Sequence, residues 1–135
     1  MKAVIREIDK GECLELLRSE QVGRIGVVVD GLPEIFPVNY SLDASDSVVF
    51  RTAIGSKLPA AVNHQVVFEV DQFDRDWRTG WSVIVHGVAQ QTQSIEEGEH
   101  LLMPWRDDTP YLVRISQKSL TGRRIERHPE TDTDQ

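Results

Sequence analysis

"RIGVVVDGLPEIFPVNY", residues 24–40, decides the fold. Arg24-Ile25-Gly26-Val27-Val28-Val29 is a β-branched run, and side chains stiff at χ1 favour an extended chain. Asp30-Gly31 after it is the strongest short hairpin signal a sequence can carry. The returning strand is predicted from Pro33 to Tyr40. A chain that begins its apolar content with a tight hairpin is building an antiparallel sheet.

Working outward, the upstream pattern is helical. Asp9 suits an N-cap with Glu12 three residues on, Cys13, Leu14, Leu16 and Leu17 supply an apolar side, and Gly23 is expected to close the helix. Downstream, a polar turn at Asp43 to Ser47 leads to a third strand, Val48 to Thr52. Gly55 to His64 reads as a short helix, with Ser56 as N-cap and Pro59 in the first turn, where its missing N–H is harmless. A fourth strand, Val66 to Val70, runs into a charged loop, Asp71 to Thr79. A fifth, Trp81 to Gln91, alternates at Trp81, Val83, Val85, Gly87 and Ala89. Ile95 to Met103 is weakly helical and ends at Pro104. The last strand starts at Tyr111, runs to Ser116 and has room to continue to Ile125. Arg127 to Gln135 is polar, acidic and Pro-containing, and is expected to be a disordered tail. The organisation is therefore one domain, residues 1–126, and a tail, 127–135.

Six strands in short hairpins, with helices only at the start and in two connections, predict a mainly β fold with short helices: a six-stranded, small, closed antiparallel barrel. Helices do not alternate with strands as a doubly wound sheet requires. Val27-Val28-Val29 and Val66-Val67-Phe68 are apolar on both faces. One face fills a barrel, so the other must be covered by a helix or a second subunit, and a homodimer is expected.

Bulk properties narrow the function. With 135 residues, 39% hydrophobic and 27% charged, the chain has the make-up of an ordinary globular domain. A net charge of −7 and a pI near 5.0 argue against nucleic acid, whose phosphates need a basic stripe. No run approaches a membrane span, and MKAVIREID lacks a secretory apolar core. Cys13 is the one cysteine, so no intrachain disulfide forms and a cytoplasmic location fits. His64, His86, His100 and His128 have no metal-ligand spacing with one another or with Cys13. His86, facing away from Trp81 and Val85, reads as a packed or interface histidine. Asp71, Asp74 and Asp76 read as a solvated loop.

The chemistry concentrates at "FRTAIGSKL", residues 50–58. A helix N-terminus offers unpaired N–H groups, Arg51 or Lys57 adds full positive charge, and Thr52 and Ser56 add hydroxyls. Gly55 lets the backbone come close. A phosphate monoester suits such a corner, although the Walker A spacing is absent. The same residues also suit a capped surface helix beside a solvated lysine.

Five segments, "VGRIGVVVDGLPEIFPVNYSLD", "VVFRTAIGSKLPAAV", "VVFEVDQFD", "GWSVIVHGVAQ" and "PWRDDTPYLVRISQKSLTGRRI", together resemble the pyridoxamine 5′-phosphate oxidase-like family of flavin-binding split barrels, over about residues 8 to 126. The likeness is to its small single-domain members. It implies a six-stranded Greek-key split barrel, homodimeric, with two flavin sites at the interface. Carried over by position, the FMN phosphate site falls on Arg51, Thr52, Ser56 and Lys57. Pro37, Val38, Asn39 and Tyr40 match the segment whose backbone follows the isoalloxazine edge. Trp81 and Ser82 match a strand start that is brought toward the cofactor, with a core role for Trp81 equally open. Trp105 and Arg106 match a loop that reaches over the partner's flavin. Arg123-Arg124 is better read as a solvated strand end. The implied activity is an FMN-dependent oxidoreductase passing a hydride to or from a small molecule. The resemblance does not extend to vitamin B6 oxidation, because the chain is short and lacks the full oxidase's C-terminal signature. A deazaflavin variant using coenzyme F-420 would need more basic residues at the site mouth. A non-enzymatic flavin- or haem-binding protein is the alternative from another class.

Overall fold

A computed structural model of the chain describes residues 1–52, 58–92 and 111–129. Its elements are β1 (Lys2–Ile8), α1 (Lys10–Ser19), β2 (Val22–Val29), β3 (Leu32–Leu42), β4 (Val48–Thr52), a 3-10 turn (Leu58–Ala61), β5 (Gln65–Asp74), β6 (Thr79–Thr92) and β7 (Tyr111–His128). All the strand pairings are antiparallel. The hairpin expected at Asp30-Gly31 is present. Val29 pairs with Leu32, and Asp30 and Gly31 take φ of 51° and 81°, the two positive values a type I′ turn requires.

The sheet runs β7-β4-β3-β2-β5-β6, and β6 pairs back onto β7, so six strands form a ring. A seventh strand, not expected from the sequence, lies outside it. β1 pairs with Gly122–His128 of β7, on the edge where β4 takes Tyr111–Arg114. Its cause sits 120 residues away: Arg6 binds Glu126 at 2.5 Å across the ladder, and of β1 only Ile8 is buried. Nothing local in a half-charged heptapeptide announces such an edge strand.

Inside the ring, Ile25, Phe68, Val70, Val83, Val85 and Ile115 are essentially inaccessible. Each large apolar side chain buried this way contributes about 1.5–3 kcal/mol. Tyr40 meets Phe68 edge to face, with ring centroids 5.0 Å apart. α1 packs across β3, β6 and β7. As expected, it starts on Asp9, whose carboxylate accepts the Glu12 N–H at 2.8 Å. Cys13 and Leu17 point into the core. The Tyr40 hydroxyl donates to the Leu17 carbonyl, which ties the helix to β3.

Four further expectations are corrected. Gly23 does not close the helix, which ends at Ser19; it lies in β2, where a Cβ would fall 2.2 Å from the Phe68 ring. The glycine serves close approach, not a cap. The helix expected over Gly55 to His64 is, among the described residues, the single turn Leu58–Ala61, and Ser56 and Lys57 lie outside them. The charged loop at Asp71 begins only after Asp74, because Arg24 meets the Asp71 carboxylate at 3.1 Å and lets β5 continue. Arg127 and His128, expected in the acidic tail, belong to β7 and pair with Ala3 and Lys2; residues 130–135 lie outside the described residues. The helix expected over Ile95 to Met103 lies outside the described residues.

Candidate functional site

β3 pairs with β2 along Leu32–Asn39 but with β4 only along Tyr40–Leu42. The β3–β4 ladder thus ends at Tyr40 and Phe50, and the strands fork there. Asn39 and Arg51 are the first residues past the fork. Side-chain alternation puts Pro37, Asn39 and Arg51 on the outer face of the ring. Val38, Tyr40 and Thr52 are buried on the inner one. Arg51 is exposed and makes no ion pair among the described residues. An unengaged guanidinium beside a stretch of strand that has lost one neighbour is suited to an anion attached to a flat group.

Two devices hold the fork in place. Tyr40 is anchored to Leu17, and its acidity is suppressed by burial and by the charge of Glu20, so it acts as a fixed post. Asp43, in the turn before β4, is buried; its Oδ1 accepts the N–H groups of Ser45 and Ser47, both at 2.9 Å. Its Oδ2 sits 2.5 Å from Nε of Arg114 on β7, an ion pair without the alignment of a hydrogen bond. One buried carboxylate therefore links the turn before β4 to β7.

The other expected residues are placed differently. Trp81 is part of the core, in register with Gln72 and Arg124. Ser82 is on the outer face, opposite Asp71 and Arg123. From Pro37 to Ser82 the sheet crosses β2 and β5, three strand spacings or about 14 Å. One chain does not bring Ser82 to the fork. Arg124 is no solvated strand end, because it bonds Glu12 at 3.0 Å, whereas Arg123 is exposed. Trp105 and Arg106 lie outside the described residues. His86 is exposed on the outer face, opposite Val67.

One group escaped the sequence reading. Arg24 pairs across β2 with Pro37 on one side and Glu69 on the other. Its Nη1 donates to Glu69 at 2.8 Å and to Asp71 at 3.1 Å. Burial, then the hydrogen bond and charge of Asp71, push the Glu69 carboxyl up to about 7, against the pull of Arg24. A cleft of about 510 Å³ beside it is lined by Val22, Arg24, Pro37, Asp71 and Gln72. The available signal was the carboxylate pair at i and i+2 of one strand, which must share a face.

Comparison with known proteins identifies the relatives of this arrangement. Residues 9–124 match the family described as pyridoxamine 5′-phosphate oxidase. The chain belongs to that family. Over 131 residues it is 36% identical to an uncharacterized protein of Mycobacterium tuberculosis, covering 88% of this chain and 84% of that one. The solved structure of the FAD binding protein from Mycobacterium smegmatis is 37% identical, with a TM-score of 0.73, and covers 91% of this chain and 100% of its own. A FAD-binding protein from Mesorhizobium loti, 20% identical with a TM-score of 0.72, covers 93% and 100% and shares the fold. As a member of the pyridoxamine 5′-phosphate oxidase family, the chain has flavin-binding neighbours. No helix among the described residues is long and apolar enough to cross a membrane.

Proposed function

We propose that this family member is a homodimeric, FMN-binding oxidoreductase whose cofactor lies along the β3–β4 fork. The observation that carries the reading is Arg51, exposed at the fork on the same face as Pro37 and Asn39 and without an ion pair among the described residues. Arg51, with Ser56 and Lys57, holds the phosphate, and Thr52, whose side chain is buried, contributes from its backbone. The main chain of Pro37, Val38, Asn39 and Tyr40 orients the ring edge, kept in register by the Tyr40 anchor. When bound, the flavin supplies hydride transfer, and the chain's residues bind it, orient it and exclude water. A cytoplasmic setting fits the single cysteine.

The second copy follows from two features. Ile35, Val28 and Val22 stand on the outer face at 72%, 60% and 44% exposure. Ser82 is about three strands from the fork in its own chain, so it joins a site only through a partner. In this reading Ser82, Trp81, Trp105 and Arg106 of the second protomer close over the ring.

FAD is the second reading, favoured by the FAD binding protein at 37% identity. It shares the riboflavin phosphate with FMN, so Arg51 keeps its part. Titrating the purified protein with FMN, FAD, riboflavin and coenzyme F-420 tests both. FMN should bind about tenfold to a hundredfold more tightly than riboflavin, the effect of one or two charge-assisted hydrogen bonds to phosphate. Equal affinities would remove the phosphate site, and a clear preference for FAD over FMN would replace the first reading by the second.

A further inference from the structure

The outer face of β3, β2, β5 and β6 is apolar at Ile35, Val28, Val22, Val67 and Ile84, yet charges sit in its middle. Arg24 faces Glu69 across β2 and β5, and Asp71 lies two residues further along the same strand. One guanidinium serves two carboxylates, at 2.8 Å and 3.1 Å. With all three ionised, the cluster carries one surplus negative charge. From β6, the groups nearest Glu69 are Ile84, directly opposite, with Ser82 and His86 on either side. Arg123 of β7 lies beyond Ser82, and Pro37 of β3 lies beyond Arg24.

A surplus charge on an open face is solvated by water. Closing that face against another removes the water, and an uncompensated buried charge is expensive. One proton cancels it: a neutral Glu69 carboxyl can donate to Asp71, while Asp71 keeps its pairing with Arg24. We propose that Glu69 takes up a proton in each protomer when the outer faces of two chains close on each other, so that self-association is linked to pH. The inference rests on the homodimer proposed above and adds the proton to it.

The sign follows from which state binds more protons. In the single chain the Glu69 carboxyl is already pushed up to about 7. Covering it raises that value again, so the dimer holds more protons than two separate chains. Association weakens as pH rises above this range and levels off below it, where the free chain is already protonated. With two sites per dimer, the dissociation constant rises by up to about a hundredfold per pH unit at the steepest point. His86, exposed on the same face opposite Val67, serves as the control position.

Sedimentation equilibrium of the full chain between about pH 6 and pH 9 tests the proposal. The wild-type dissociation constant should rise at least about tenfold from near-neutral to alkaline pH. Glu69→Gln should be dimeric with a flat profile, Asp71→Asn, which removes the surplus charge, should weaken the dependence on pH, and His86→Gln should leave the alkaline limb unchanged. A dimer with the same dissociation constant at every pH overturns the proton link and leaves the dimer standing. Glu69→Gln that keeps the wild-type slope does the same by placing the titrating group elsewhere. A monomer throughout overturns the dimer and the link together.

Discussion

Two glycine–phenylalanine pairs, one on each face of the same ring, set the inner and outer surfaces side by side. On the inner face the Phe68 ring covers Gly23 so closely that a Cβ there would lie 2.2 Å away. On the outer face the Phe73 ring covers Gly80, its partner in register, at the same 2.2 Å. The local device is identical, an aromatic laid over a strand glycine. The surroundings are not: Phe68 is 0% exposed and Phe73 is 58% exposed. The inner face is completed by the chain itself. On the outer face Phe73, Ile35, Val28 and Val22 stay exposed, and that face also carries the Arg24–Glu69–Asp71 cluster and the fork at Arg51.

The strongest test of this contrast is the pair of phenylalanines. Phe68→Ala should cost about 3–5 kcal/mol in denaturant unfolding, the transfer of a buried ring plus the cavity left beside Gly23. Phe73→Ala should cost under about 1 kcal/mol, as surface substitutions do. Similar losses for both would mean that the two faces are equally finished. Next comes the double variant Val28→Asp, Ile35→Asp. Its monomer stability should stay within about 1 kcal/mol of wild type, since both positions are solvated. Its dimer should be lost at micromolar concentration in sedimentation, because two charges per protomer are forced into an apolar contact. A stable dimer in this variant would move the interface away from the outer face.

Arg51→Ala probes the chemistry of the same face. FMN affinity should fall by about 1.5–3 kcal/mol, with riboflavin affinity unchanged, as measured by fluorescence titration. Equal losses for both ligands would detach Arg51 from the phosphate. The smallest effect is a pH-dependent one. The Glu69 carboxyl is raised in the folded chain from 4.5 to about 7. The folded state therefore holds the proton more tightly than the unfolded one, and stability declines as pH rises through that window. Glu69→Gln, added to the monomeric Val28→Asp, Ile35→Asp double variant, should raise the melting temperature at about pH 8 and leave it unchanged at about pH 4. The gain is modest, since about 30% of the side chain is still in contact with solvent, which screens its charge. A gain at both pH values would point to packing instead of charge.

Reading the fold from sequence worked where the cause was local. Asp30-Gly31 forces its turn because of its own backbone preferences, and Asp9 caps α1 with an oxygen three residues from the N–H it accepts. Both were legible for that reason. β1 was not, because its partner and its ion pair with Glu126 lie at the far end of the chain. Gly23 was misread for the same cause: a glycine before a strand suits a helix stop, and only the Phe68 ring, brought in from β5, shows what the missing Cβ makes room for.

The candidate site divides in the same way. Arg51, Asn39 and Pro37 are close in sequence to a strand end and its preceding strand, so a motif placed them together. Trp81 lies in a separate matching segment, with a core role left open, and its position in the alternation of β6 sends it to the core and leaves Ser82 outside, on a face that no local pattern marks as shared with Pro37. The antiparallel strands, the tight turn at Asp30-Gly31 and the capped helix were fixed by the sequence alone, because each depends on residues within a few positions of one another. Only the tertiary structure decided which face of each strand looks outward, where the β3–β4 ladder forks, and that Arg24 must serve two carboxylates. Those facts depend on strand register, and register is set by partners far apart in the chain, such as Arg24 with Glu69 and Lys2 with His128.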